Sequence, residues 1–267
     1  MTEPKELLRL YKADDDQFCN LCLEPAKLTD DHVPTRGWGN DKMIEVRRLK
    51  GDQFVRPQAM QKCRRGLTFR TLCAKCNNER LGSSMDAALA ELVALCRRNF
   101  SVGRRSFNAR LRPNAILRSI LGHTVAVRNY TEPHMTLDVA VRDYLIHEAP
   151  LSPEVKVYAW PFLIPDRLVI ARDFVFGDLK AREMSGILNV IKFEPLAAVV
   201  QFGGMTFSAP SFHEFSTIEP NEEIELHLSF STAFNPQFPE EATEIDPRYV
   251  VVAGKGFTDG VEQTVRA

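Results

Sequence analysis

Four of the six cysteines fall in two pairs, Cys19-Asn20-Leu21-Cys22 and Cys73-Ala74-Lys75-Cys76. Four thiolates at these two spacings, each pair in a tight knuckle, can fill the tetrahedral shell of a zinc ion at about 2.3 Å per bond. The stretch from 22 to 73 is longer than a compact zinc ribbon uses and calls for an insertion between the knuckles. Asp30-Asp31-His32-Val33-Pro34 stands inside that stretch, and Asn77 follows the last cysteine directly. Alone, an Asp-His dipeptide is an ordinary capped turn; bracketed by two zinc knuckles it carries more weight. Of the remaining cysteines, Cys96 falls on the apolar stripe of a helix and reads as a core thiol. Cys63 sits among Lys62, Arg64 and Arg65 and takes no assigned role.

The chain has 267 residues, 44% hydrophobic and 26% charged, the composition of a soluble globular protein. Met1-Thr-Glu-Pro-Lys-Glu lacks the apolar core of a signal peptide. No apolar run approaches the roughly 18 residues of a membrane span. Cysteines without a secretory signal indicate a reducing, cytoplasmic setting, which favours metal ligation over disulfides. The net charge of −1 conceals an asymmetry: residues 1–110 carry 21 basic and 14 acidic side chains, and residues 111–267 carry 13 and 21. Within 42–80 there are 11 basic and 3 acidic residues. A basic excess beside such a site suits a polyanion, although a solvated Arg-rich loop has the same composition.

Periodicity places the elements that must position these residues. Thr2 to Tyr11 has one apolar side and is predicted as a short helix, ended by an exposed Asp14-Asp15-Asp16 turn. Lys27 to Val33 and Leu67 to Leu72 read as strands. Asn77 opens a helical segment interrupted at Gly82, and Ser84 to Arg98 continues as a helix. Trp38 to Lys62 reads as a basic surface insertion, and Phe100 to Arg112 as a linker. Ala115 to Val127 and Pro133 to Glu148 read as helices. Beyond Pro150 the pattern turns to strands: Val155 to Leu163 and Leu168 to Phe176 as a hairpin about Pro165-Asp166, then Ile187 to Phe193, Ala197 to Phe202, Met205 to Phe207, Ile224 to Phe230 and Tyr249 to Ala253, with Asn235 to Pro247 as a loop. The expected class is α+β. Residues 1–100 are expected as an N-terminal zinc domain of strand, strand, helix (ββα) order, 101–150 as a linker and two helices, and 151–267 as an antiparallel β-rich region without an assigned role.

Together, Cys19-x-x-Cys22, Asp31-His32-Val33-Pro34 and Cys73-x-x-Cys76-Asn77 resemble the HNH endonuclease superfamily in its zinc-containing, four-cysteine branch. The resemblance covers roughly residues 17–85. It implies a ββα-metal core in which the zinc is structural and a second divalent cation, Mg2+ or Mn2+, serves hydrolysis of nucleic acid, with DNA the expected substrate. On that resemblance His32 is the general base, and Asp31 and Asn77 hold the catalytic cation. Asp30 competes with Asp31, and Asn78 with Asn77. Arg36, Arg64, Arg65, Arg70 and Arg80 are the candidate phosphate contacts, each with a solvated or ion-paired surface side chain as its alternative. The family's last position is often His and here is Asn. Its middle Asn, which orients the loop bearing the base, is not evident; Thr68 lies near its place. Stand-alone relatives act in phage defence or on mobile elements, which is analogy with the family alone.

The competing expectation is a non-catalytic zinc-stabilised module that binds nucleic acid or protein, with His32 structural. Trp38 either stacks on a base or seals its loop onto the core. His123, His134, His147, His213 and His227 have no partner at ligand spacing and read as ordinary surface or core side chains. The acidic C-terminal half is expected to select substrate, receive an activating partner or build a homo-oligomer. A membrane partner is not expected.

Overall fold

The structure is a computed structural model that describes residues 9–11, 17–41, 44–50, 61–63, 66–128, 136–164, 167–178, 183–203, 206–230, 249–252 and 259–265. Its elements run in the order β1 (Arg9–Tyr11), β2 (Leu28–His32), β3 (Ile44–Lys50), β4 (Gln61–Cys63), β5 (Thr68–Cys73), a π-type helix (Lys75–Leu81), α1 (Met85–Ser101), β6 (Ser106–Leu111), α2 (Pro113–Ala126), α3 (Thr136–Ile146), β7 (Val155–Pro161), β8 (Arg167–Asp178), β9 (Glu183–Phe193), β10 (Leu196–Gly203), β11 (Ile224–Ser229), β12 (Tyr249–Val252) and β13 (Asp259–Val265). The class is α+β.

Three sheets organise these strands. The first has the order β1-β5-β2, with β1 parallel and β2 antiparallel to β5. The second runs β4-β3-β13-β8-β9-β10-β7, all antiparallel, with β12 also paired to β8. The third is the two-stranded ribbon β11-β6.

Helix α2 is the hub. Every residue of it except Arg118 is buried, as expected for a helix apolar nearly all round. Pro113 suits its first turn, where a missing N–H costs nothing. The carbonyls at its C-terminal end lack helical partners and are taken by side chains of the first sheet and first knuckle. Thr71 donates to Ala126 O at 2.5 Å. Asn20 donates to Val125 O at 3.2 Å and to Arg128 O at 2.8 Å. The Arg142 guanidinium reaches Asn20 O at 2.8 Å and, with Arg128, flanks the buried Asp138. Helix α1 lays Ala88, Leu89, Leu92, Val93, Cys96 and Phe100 against this hub; burial pushes the Cys96 thiol pKa up. One apolar core runs from Cys19 to Phe230, and a second cluster (Tyr158, Trp160, Phe162, Val169, Leu188, Val190, Ala197, Val199) lies within the large sheet.

Several expectations are corrected. Residues 9–11 form strand β1 rather than a helix end, because pairing beside β5 overrides a weak amphipathic pattern; residues 2–8 lie outside the described residues. The stretch from Trp38 to Lys62 is not a free insertion. Trp38 is 2% exposed and donates to Phe193 O at 2.8 Å, sealing its loop. Strand β3 joins the large sheet through β13, in a register that sets Arg47 opposite Glu262 and Lys50 opposite Asp259. The expected linker contains β6, whose alternate buried residues Phe107, Ala109 and Leu111 need a partner strand and find β11. Strands β7 and β8 are not a hairpin; β7 pairs β10, and β8 pairs β9. Residues 206–207 carry no strand, and Asn235 to Pro247 lies outside the described residues. No helix of the described residues is long and apolar enough to cross a membrane.

Candidate metal centre and the His32 face

The sulfurs of Cys19, Cys22, Cys73 and Cys76 lie within 4.8 Å of one another. Cys22 Sγ and Cys73 Sγ are 3.9 Å apart, close to the edge of about 3.8 Å that a tetrahedron with 2.3 Å bonds requires. The first knuckle is shaped by backbone bonds from Leu23 N to Cys19 O and from Cys19 N to Glu24 O, both 2.9 Å. Cys73 N–H points at Cys19 Sγ at 3.3 Å. A hydrogen bond from Cys76 holds the Cys19 thiol pKa down to about 4, against burial, whereas burial pushes Cys22 up to about 11. The four residues could hold a metal ion such as zinc.

Strands β2 and β5 carry the motif residues on two faces. Asp30 is exposed and His32 half-buried, with Arg70 opposite Asp30 and Thr68 opposite His32 in the ladder. Asp31 points the other way and is 4% exposed, as period-two alternation requires. The β2–β5 ladder is irregular between Thr29 and Asp30. Past His32, Val33-Pro34 is a cis bond and the strand ends. Arg36 Nε–H donates to His32 Nε2 at 3.3 Å, so that nitrogen presents a lone pair. Asn77, on the helix after the second knuckle, donates through Nδ2 to Thr29 Oγ1 and Asp30 O, both at 3.1 Å. The knuckle end and the strand bearing His32 are thereby joined.

Two residues outside the expected set complete the neighbourhood. Asn40 is 1% exposed. It donates to Pro34 O at 2.8 Å and Leu67 O at 2.9 Å, and accepts from Leu67 N–H at 2.8 Å. It thus ties the loop after His32 to the start of β5. Gly66 permits this approach: at φ +83°, a Cβ there would stand 2.2 Å from Asn40 O.

The second is His123 of α2, 1% exposed. Its Nε2 lies 2.9 Å from Asp86 Oδ1 and its Nδ1 3.2 Å from Asp31 Oδ2. Ser119 donates to the same Asp86 oxygen at 2.7 Å. Burial alone would lower the His123 pKa, but the charges of Asp86 and Asp31 outweigh it and raise it to about 10. Burial likewise raises Asp86, and His123 overrides that to bring it down. A lone histidine on an apolar helix gave no cue in the sequence, since its partners come from two other elements.

Of the expected phosphate contacts, Arg36 is exposed and Arg70 lies on the His32 face, where its Nε–H also donates to Leu28 O at 3.1 Å. Arg80 turns instead to α3, donating to Leu145 O at 3.4 Å. Arg64 and Arg65 lie outside the described residues. Comparison with protein-family models, curated proteins and solved structures gives no match.

Proposed function

We propose that the chain is a metal-dependent endonuclease of HNH type that hydrolyses phosphodiester bonds in nucleic acid, with DNA the favoured substrate. The observation that carries this reading is the junction of Asn77 with the strand of Asp31 and His32, beside four cysteines spaced for one metal ion. Zinc is structural in this reading.

The Nε2 lone pair of His32 takes the proton of the attacking water. Arg36 now occupies that lone pair and is exposed, so it transfers to the substrate phosphate on binding. Arg70 supplies a second positive charge on the same face. The resemblance assigns a hard divalent cation to Asp31 and Asn77: the Asn77 NH2 is committed to Thr29 and Asp30, which leaves its amide carbonyl as an oxygen donor, whereas the Asp31 carboxylate is buried on the strand face opposite His32 and would have to turn toward that face to serve the same phosphate. When bound, that cation, Mg2+ or Mn2+, would supply charge neutralisation for the hydrolysis.

The second reading is a zinc-stabilised binding module without catalysis, favoured by the burial of Asp31 against a histidine cation. Divalent-cation-dependent cleavage of plasmid, linear duplex, single-stranded DNA or RNA separates the two. The nuclease reading requires cleavage that disappears in His32→Ala while zinc content and folding persist.

A further inference from the structure

Strands β6 and β11 form a two-stranded ribbon whose faces differ in kind. Alternation buries Phe107, Ala109 and Leu111 and leaves Ser106, Asn108 and Arg110 exposed. On β11, Leu228 is buried, whereas Glu225, His227 and Ser229 are exposed. Aromatic packing pins the inward face to α1: the Phe230 ring centroid lies 5.2 Å from that of Phe100 and 6.0 Å from that of Phe107. The ribbon is thus a fixed mount for what its outer face carries.

That outer face carries a hydroxyl, an imidazole and an amide in line. The register sets His227 opposite Asn108 and Ser229 opposite Ser106, so Ser106 is the diagonal neighbour of His227. His227 Nδ1 lies 2.7 Å from Asn108 Oδ1, and His227 Nε2 lies 3.0 Å from Ser106 Oγ. An amide oxygen only accepts, so Nδ1 carries the ring proton and the Nε2 lone pair faces the Ser106 hydroxyl. A nucleophile within reach of a base, with the base oriented by a third group, is the arrangement that activates serine for acyl transfer. His227 also lines a cleft of about 510 Å3, together with Phe207, Phe212, Glu214, Phe215 and Leu226. That volume is within the roughly 300–1,000 Å3 of small-molecule sites. The phenyl rings suit an apolar group, and the Glu214 carboxylate repels a second carboxylate beside it. The nuclease reading uses none of these residues.

We propose that Ser106 is the nucleophile and His227 the general base of a second active site, which hydrolyses uncharged carboxylic esters bearing an apolar or aromatic group, with Asn108 as the positioning residue. Ser106 Oγ bonds to the acyl carbon as its proton passes to His227 Nε2. The bond from that carbon to the alcohol oxygen breaks, and the alcohol leaves with the proton. Water, deprotonated by the same nitrogen, then attacks the acyl carbon, releases the acid and restores the serine hydroxyl.

The test uses the full-length, zinc-loaded chain with a biotinylated fluorophosphonate and with p-nitrophenyl butyrate. The expected result is one phosphonate adduct, placed on Ser106 by peptide mapping, and ester turnover that the adduct blocks. His227→Ala should slow labelling and turnover by about 10²–10⁴-fold, the usual contribution of a positioned base. Asn108→Ala should slow both, and Asn108→Asp, which keeps an acceptor for Nδ1, should restore them. The substituted side chains are exposed, so the melting transition should stay in place. The adduct is read on the wild type, so misfolding of a variant cannot hide the answer. Absence of an adduct on Ser106 overturns the proposal. So do equal labelling rates in wild type and His227→Ala, and ester turnover that persists in Ser106→Ala. Cleavage of nucleic acid by the same protein tests the nuclease reading independently.

Discussion

Asn40 and Leu67 bond each other in both directions: the Asn40 amide donates to Leu67 O at 2.9 Å and accepts from Leu67 N–H at 2.8 Å. The same amide holds Pro34 O, so one buried side chain fixes both the loop that leaves His32 and the entry to β5. Asn40→Ala leaves these backbone groups enclosed without partners, at about 1–3 kcal/mol for each unsatisfied group. Expected outcomes are a loss of about 2–4 kcal/mol in denaturant unfolding and a larger proportional loss of cleavage than of substrate binding. An unchanged unfolding midpoint would remove Asn40 from this role.

In the proposed reading, removal of a zinc ion held by the four cysteines should reach well beyond the knuckles. Asn20 lies between Cys19 and Cys22 and caps the last carbonyls of α2, while Arg142 of α3 holds the Asn20 carbonyl. Cys73→Ser or a strong chelator is expected to abolish cooperative melting and to increase amide exchange in α2 and α3, because binding at such a centre is folding free energy. Exchange confined to residues near the cysteines would contradict this coupling.

Stability should fall in alkali in the protein without added divalent cation. The His123 pKa is raised above its ordinary 6.5 to about 10. The protonated form is therefore favoured by folding, and its contribution is fully present below about pH 6.5 and lost as pH rises toward 10. Asp86 is shifted down, so its contribution is present above its ordinary value and lost in acid. Wild type minus His123→Asn should show a difference of roughly a few kcal/mol that shrinks between about pH 6.5 and 10. A difference that does not change with pH would show that His123 carries no charge there.

The arginines separate by position. Arg36→Ala and Arg70→Ala are each expected to weaken nucleic-acid binding and to reduce the salt slope by about 1. Arg80→Ala, which removes a bond to Leu145 O, should leave the slope unchanged and cost a small amount of stability. Equal effects of all three on the slope would contradict this division.

The two knuckles, strands β2 and β5, and helices α1 to α3 were legible because cysteine spacing and apolar periodicity are local signals. Pairing was not. Strand β6 reads as a linker until Ile224–Ser229 is brought beside it, and β7 and β8 are close in sequence yet find partners elsewhere. In the site, the resemblance favours Asp31 because it abuts His32, with Asp30 as its competitor. The structure gives Asp30 to the His32 face and Asp31 to the interior. Asn40 is not singled out by the sequence, and His123 reads there as an ordinary side chain, because their contacts are with Leu67, Asp31 and Asp86, which only the folded chain brings to them.

The central claim is that His32 is the base of a nuclease. The most direct measurement compares wild type with His32→Ala on plasmid, duplex, single-stranded DNA and RNA in Mg2+ or Mn2+, with zinc content and melting matched. The account predicts cleavage by the wild type and a loss of about 10²–10⁴-fold in the variant, the usual contribution of a positioned base. Equal cleavage by both proteins, or none by a folded, zinc-loaded wild type on any of the four substrates, would contradict it.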